Sequence, residues 1–439
     1  MTNLEIDTIS RNKIVSDINT NFFVEAGAGS GKTTMLVNRM VAMVENGIEI
    51  DKICAITFTK AAANEFYERF QSLLIERSNP DYVWEDKGHA GQLPCPTQKT
   101  RSRCEEALKN IDLCFMGTID SFCNMVLSEH PSAAGIPSDS VLISDVDASI
   151  LYGQYFVRIC EGLYGDELAG MARTFNLLHR DGKKVFVECM PYFMDNRNVH
   201  FNFPRETNYD IDIIFADVRK ELIELMKFLC DHEYYKYTGN KPSAEVWKEI
   251  EKYYKIIRRR WSTNYSNVLY AIGKLPKICI ENKAYNECPE PLKKWFDQRR
   301  GFYSFTADFV ATSDELNRLK YSISMTLFDE CKSLFESEFR EKGRLTFFDY
   351  LYYLREMLKD DAENNEGRLI SYISKRHSYY LIDEFQDTNP MQAEVFFYLS
   401  SETPAKRWEQ CMPRPGSLFI VGDPKQSIYR FRGDRKSVV

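Results

Sequence analysis

The sequence predicts an α/β protein, a doubly wound parallel sheet wrapped by helices and interrupted by a large, mostly helical insertion. Three observations predict it. A short apolar segment near the start runs into a glycine loop and then a helix-length apolar stretch; a second strand and helix pair follows at once; two more segments of the same strand character return only near residues 380 and 420.

Asn21 to Glu25 (NFFVE) reads as the first strand, entering Ala26 to Thr33 (AGAGSGKT). Met35 to Val44 is the apolar helix that follows, with Gly47 as its stop. Lys52 to Phe58 (KICAITF) has the continuous apolar character of a strand buried on both faces, and Ala61 to Phe70 (AAANEFYERF) that of a second helix. Tyr379 to Asp383 (YYLID) and Leu418 to Gly422 (LFIVG) are the remaining strand candidates, each running into an acidic turn, and Phe347 to Leu358 is a further apolar helix. Between about 131 and 344 helix-length, aromatic-rich segments dominate and the signal of strand then glycine turn does not recur. The expected organisation is therefore an α/β domain in two parts, 1–130 and 345–439, around an inserted helical domain, 131–344. The first boundary rests on Pro131 and the small residues up to Pro137, the second on Gly343.

Composition narrows the function classes. The 439 residues carry 57 Lys and Arg against 64 Asp and Glu, a net charge of −7, with 28% charged and 44% hydrophobic residues, which excludes disorder and fits a soluble chain of more than one domain. No apolar run reaches the ~18 residues a bilayer span needs, so no membrane association and a cytoplasmic location are expected. The 12 cysteines are scattered without a Cys-x-x-Cys pair, and they read as reduced, mostly buried small hydrophobes rather than metal ligands. The acidic balance argues mildly against binding nucleic acid over the whole surface but leaves room for a locally basic channel.

Within the glycine loop, Gly27, Gly29 and Gly31 let successive backbone N–H groups turn inward on an anion at a helix N-terminus, where the helix dipole also favours negative charge. Ala26 stands where the phosphate-loop pattern has its first glycine. Ala28, Gly29, Ser30, Gly31, Lys32, Thr33 and Thr34 are the expected nucleotide contacts. Lys32 would reach the β- and γ-phosphates and Thr33 would ligate Mg²⁺. The adjacent carboxylates at the end of YYLID suit two tasks, Asp383 holding Mg²⁺ and Glu384 activating the attacking water. On its own such an acid pair is equally a solvated turn; a phosphate loop on the same sheet strengthens the catalytic reading.

Four long runs in order, the phosphate loop, ITFTKAAANEFYERF (Ile56 to Phe70), LIDEFQDTNPMQ (Leu381 to Gln392) and IVGDPKQSIYRFRG (Ile420 to Gly433), resemble the motifs of UvrD-like superfamily 1 DNA helicases. TFTKAAANEF and GTIDSFC (Gly117 to Cys123) are most similar to the RecB and AddA branch of recombination helicase-nucleases. The resemblance implies a RecA-like P-loop NTPase domain that uses ATP and Mg²⁺. It implies that Gln426 senses the γ-phosphate, and that Tyr429, Phe431 and Arg432 stack and anchor single-stranded DNA, with Thr57, Phe58, Thr59, Thr118 and Ser121 on the same strand. Phe58 also reads as a core aromatic. Two residues depart from the family pattern: Arg11 stands where a glutamine reads adenine, and Asp120 where a histidine is usual, which places an acid near a phosphate backbone. In the insertion, Lys252 to Arg300 carries 12 Lys and Arg and 4 Asp and Glu, interleaved with aromatics. That is either a nucleic-acid face or solvated basic helices with their aromatics turned inward.

The expected function is the N-terminal half of an ATP-dependent DNA helicase or translocase. It would bind Mg-ATP, single-stranded DNA and single-strand/duplex junctions, and would couple hydrolysis to strand movement in repair or recombination, with a nuclease or helicase partner subunit. The alternative is a non-hydrolysing nucleotide- and DNA-binding module that needs a second polypeptide. Because the chain stops just after the third major motif, the second RecA-like domain and its arginines are expected to be missing, and the 439 residues alone to be nearly inactive in turnover.

Overall fold

The computed structural model describes residues 3–203 apart from 28, 86–88, 180, 198 and 200, together with 224, 290–298, 301–423 and 425. Ala28, Gln426, Tyr429, Phe431, Arg432 and, apart from 290–298, the Lys252 to Arg300 segment lie outside the described residues.

The chain divides into two compact units, Met1–Leu142 with Arg340–Val439, and Ile143–Phe339. The first begins with α1 (Asn3–Ser16), β1 (Phe22–Glu25), α2 (Lys32–Glu45), β2 (Ile53–Thr57) and α3 (Lys60–Ser78). It continues through α4 (Gln98–Lys109), β3 (Phe115–Thr118), α5 (Ile119–Glu129), the short α6 (Pro131–Ala134) and β4 (Val141–Leu142). The second unit holds α7 (Asp145–Cys160), α8 (Asp166–Leu178), α9 (Gly182–Asp195), α10 (Glu290–Gln298) and most of α11 (Gly301–Glu341). The chain then returns through β5 (Arg344–Leu345), α12 (Phe347–Asn364), α13 (Arg368–Arg376), β6 (Tyr379–Ile382), α14 (Pro390–Ser400) and β7 (Leu418–Gly422). The units meet along the chain at 142/143 and 339/340, where the sequence reading puts the boundaries at 130/131 and 344/345. The outgoing and returning segments are tied by a two-residue parallel ladder, Val141 against Arg344 and Leu142 against Leu345, and by Arg340 Nε donating to the Gly135 carbonyl at 2.8 Å.

Five parallel strands form the main sheet in the order β1-β7-β6-β2-β3. Side chains alternate faces along a strand, so each central strand feeds two cores. Ile53, Ala55, Leu381, Phe419 and Val421 pack with α1 to α4. Cys54, Ile56, Tyr380, Ile382, Leu418 and Ile420 pack with α5, α12, α13 and α14. This two-sided burial is why β2, β6 and β7 read as continuous apolar runs. Six of the nine described cysteines are buried.

Helix ends follow local chemistry. α3 runs beyond the predicted Phe70 and stops at Ser78, because Asn79 precedes Pro80 and takes an extended backbone, φ −69° and ψ 122°. Thr59 opens α3 and Thr118 opens α5, each hydroxyl accepting the backbone N–H three residues on. Arg39, on α2, is fully buried. It donates to the carbonyls of Ile14, Asp17, Ile18 and Thr20 at 2.7 to 3.3 Å, and its guanidinium lies 5.0 Å from the Phe22 ring and 4.9 Å from that of Phe419. Burial lowers its pKa to about 10, an effect Asp17 partly opposes. One side chain thus fixes the link from α1 to β1, and with it the strand that delivers the glycine loop.

The described secondary structure of the second unit is helical, around an aromatic core. The Phe328 ring stacks on Phe186 at 5.4 Å and on Phe193 at 4.5 Å, with Tyr152, Phe156, Phe175 and Phe335 around them. No helix among the described residues is long and apolar enough to cross a membrane.

Candidate functional site

The strands are parallel and in register, so their carboxyl ends share one edge of the sheet, where loops of an open α/β fold gather. The glycine loop leaves β1 there. The Ala26 N–H donates to the Gly422 carbonyl of β7 at 3.1 Å, which carries the pairing one residue past the strand. Gly31 then takes a left-handed backbone, φ 85°, at the N-cap of α2; a side chain at that φ would be strained. No side chain caps α2 and no acid lies in its first turn, so the N–H groups of its first turn face outward for an external acceptor. Among the described residues, Ser30 Oγ is buried without a hydrogen-bond partner, and, its chain neighbours aside, no atom lies within 4 Å of where a Cβ on Gly29 would stand. An uncapped helix start, an orphaned hydroxyl and open space above a glycine are what a bound phosphate group requires. The residues present fit a nucleotide with its magnesium ion.

Lys32 Nζ lies 3.1 and 3.0 Å from the two carboxylate oxygens of Glu384, a residue 352 positions further along the chain. Glu384 directly follows Asp383 at the end of β6 and has a left-handed backbone, φ 51°, which a non-glycine residue adopts at a cost of about 1–2 kcal/mol. Its Oε2 also accepts from Gln386 Nε2 at 2.6 Å. Gln386 in turn accepts the Asp423 N–H at 2.9 Å, so one buried amide links the acid pair to the turn after β7. Gly422 leaves room for this contact, since a Cβ would stand 2.9 Å from Gln386 Oε1 and force that amide to shift. Gln386 and Asp423 both lie inside the motif runs, but their pairing depends on strand order, which those runs do not state.

Asp383 is 8% exposed, and its N–H donates to the Ile56 carbonyl at 2.9 Å. Burial pushes its carboxyl up to about 6; the Glu384 charge adds to this, while the Glu384 N–H, donated to Oδ1 at 3.0 Å, and Lys32 oppose it. A raised carboxyl pKa contributes stability below the unfolded value, 3.8, and that contribution is lost as pH rises through 6. At neutral pH the fold therefore holds a buried charge at a cost on the order of 2–3 kcal/mol. Asp383→Asn is accordingly expected to raise the urea midpoint at pH 7.5 without divalent ions, with the gap closing near pH 4. A variant less stable than wild type at pH 7.5 would contradict this origin of the strain.

A second feature on the same edge lies beyond β2 and β3. Thr57, Phe58, Thr118 and Asp120 line a cavity of about 260 Å³ with Phe347 and Asn389. Phe58 is partly exposed and does not belong to either core cluster of this unit. Thr57 Oγ1 donates to the Thr59 carbonyl at 2.8 Å, and the Thr118 and Ser121 hydroxyls lie 2.9 Å apart. Three of the predicted strand contacts, Thr59, Thr118 and Ser121, thus also serve in helix starts. Arg11 lies at the other end of the loop, its Nη1 3.7 Å from where a Cβ on Gly31 would be.

This parallel sheet, its glycine loop at the head of a helix and its acid pair define a RecA-like α/β phosphate-loop domain. The chain belongs to the family described as UvrD/REP helicase N-terminal domain, whose model matches residues 7–438. It is 22% identical to an ATP-dependent helicase/nuclease subunit of Pediococcus pentosaceus and 24% identical to the subunit of the same name from a Thermoanaerobacter species, in each case over 97% of this chain and 35% of the relative. The chain spans about a third of the length of the curated relatives it matches.

Proposed function

We propose that this chain forms the nucleotide-binding half of an ATP-dependent DNA helicase, in which Mg-ATP and single-stranded DNA bind to one edge of one sheet. The observation that carries the reading is the convergence of Lys32 on Glu384. A phosphate-seeking cation and an acid suited to activate water come from opposite ends of the sequence to within hydrogen-bond distance. The family and the two relatives, whose names include ATP, helicase and nuclease, support it.

In this reading the first-turn N–H groups of α2, the Ser30 hydroxyl and Lys32 hold the β- and γ-phosphates, with Lys32 exchanging its Glu384 partner for phosphate oxygens. Thr33 and Asp383 hold Mg²⁺, which when bound neutralises phosphate charge. Glu384, released from Lys32 and still held by Gln386, orients a water for attack on the γ-phosphate and takes its proton. Gln386 relays a change at Glu384 to the Asp423 turn, and the resemblance continues that path into Gln426, Tyr429, Phe431 and Arg432. Thr57, Phe58, Thr59, Thr118 and Ser121 contact the DNA strand beyond β2 and β3, close enough to the acid pair for the two sites to communicate through β2 and β6. The helical unit is an accessory domain, junctions of single strand and duplex are the substrate, and the word subunit in the relatives' names points to a nuclease or helicase partner.

The test is fluorescence anisotropy with labelled oligonucleotides of several sequences at several salt concentrations, followed by phosphate release with and without saturating single-stranded DNA. Expected are binding with little sequence preference, a clear loss of affinity with salt, and DNA-stimulated release that stays well below the ~1 to 100 per second of an intact phosphoryl-transfer enzyme. Salt-independent binding would remove the DNA site, and binding without stimulation would favour a module that does not hydrolyse by itself.

A further inference from the structure

We propose that the side-chain amides of Asn389 and Gln392 donate to a base of the bound strand, one backbone turn away from Glu384. The proposal rests on the DNA reading above and adds two contact residues and the part of the strand they hold.

Asn389 and Gln392 open α14 as a reciprocal cap. Asn389 Oδ1 accepts the Gln392 N–H at 2.8 Å, and Gln392 Oε1 accepts the Asn389 N–H at 2.9 Å. The cap engages the oxygen of each amide, so it fixes how both side chains are turned and leaves their NH2 ends over. Neither NH2 group has a partner among the described residues, although Gln392 is only 9% exposed. Both residues line the cavity of about 260 Å³ beyond β2 and β3. Donors held in place by a cap at the wall of a cavity are preorganised for an acceptor that enters it.

The other walls define what enters. Phe58 and Phe347 present partly exposed rings, Leu351 is apolar, and Asp120 and Asp387 are the charged residues there; among the described residues no lysine or arginine lines the space. A phosphate would meet carboxylates and no cation, whereas a neutral planar base finds aromatic faces and amide donors. The volume lies just below the ~300–1,000 Å³ of sites that take a whole small ligand, which suits one base of a longer strand. Each of the four bases carries a carbonyl or ring-nitrogen acceptor on an edge that unstacking exposes, so two donors hold any base without reading sequence. A single tight turn leads from Glu384 to this cap. In it the Asp387 N–H donates to the Glu384 carbonyl and the Thr388 N–H to the Phe385 carbonyl, each at 3.0 Å. A base seated on the cap is therefore held by the same short segment that presents the acid.

Fluorescence anisotropy with the 439-residue chain tests this. Gln392→Glu and Asn389→Asp each keep the oxygen that caps α14 and remove the NH2 group. Each is expected to weaken binding of a thymine oligonucleotide about fivefold, the worth of one typical hydrogen bond. Neither should lower the urea midpoint or the calorimetric affinity for Mg-ATP. On an abasic oligonucleotide of the same length, at salt low enough to keep both strands measurable, wild type and variants should bind alike. Unchanged affinity of both variants for the thymine strand overturns the proposal. A deficit that persists undiminished on the abasic strand assigns the amides to the sugar-phosphate backbone, or reports only the added charge, and overturns it as well. Loss of binding that comes with a lower urea midpoint in both variants reduces the two residues to helix capping and also overturns it. Failure of wild type to bind either strand removes the DNA reading itself.

Discussion

Lys32→Ala is expected to weaken Mg-ATP binding about 10- to 100-fold. A charged hydrogen bond is typically worth about 1.5–3 kcal/mol, and this variant deletes the cation that the loop presents to the phosphates. The fold should survive, because Glu384 is 37% exposed at its side chain and keeps Gln386 as a partner when Lys32 is gone. The two effects separate experimentally: calorimetry should show the lost affinity while thermal unfolding without nucleotide shifts little. Equal affinity in wild type and variant would remove Lys32 from the site. Lys32→Arg should recover only part of the binding, since a planar fork does not replace a compact ammonium in a narrow loop.

Phe122→Ala is expected to lower the stability of the first unit by about 3–5 kcal/mol, a large share of the ~5–15 kcal/mol typical of a folded domain. Phe122 is fully buried on α5, where its ring meets Phe115 at 5.3 Å, Phe396 at 5.8 Å and Tyr380 at 5.9 Å. Those partners lie on β3, α14 and β6, so truncation opens a cavity under the strand that carries Asp383 and Glu384 at its end. Urea unfolding followed by circular dichroism reads the loss, and Phe122→Leu should lose much less. A change under 1 kcal/mol for the alanine variant would mean that neighbouring rings close the space.

Much of the first unit is legible in the amino-acid order, for identifiable reasons. β2, β6 and β7 are sandwiched between two cores, so both faces are apolar and the strands announce themselves as unbroken runs. β1 is announced by the glycine loop it must deliver. β3 escapes the same reading because Phe115–Thr118 is a four-residue edge strand containing a glycine and mostly half-exposed, leaving no run to detect. The ladder of β4 with β5 is two residues long and joins positions about 200 apart, beyond any local signal. The helix-rich character of the described part of the second unit is likewise legible from segment lengths and aromatic content.

The candidate site divides in the same way. Which residue types sit in the glycine loop and the acid turn is local information, because phosphate and metal chemistry demands particular groups at short spacing. The tertiary structure alone decided that Lys32 meets Glu384, that Gln386 joins the acid turn to Asp423, and that Arg11 lies against Gly31 beside an open cavity. It also sets the carboxyl pKa of Asp383, which burial behind the end of β6 raises. Each of these depends on strand order and on how deeply a turn is enclosed. Both are set by the packing of segments hundreds of residues apart, a free-energy balance over the whole sheet that no stretch of sequence contains.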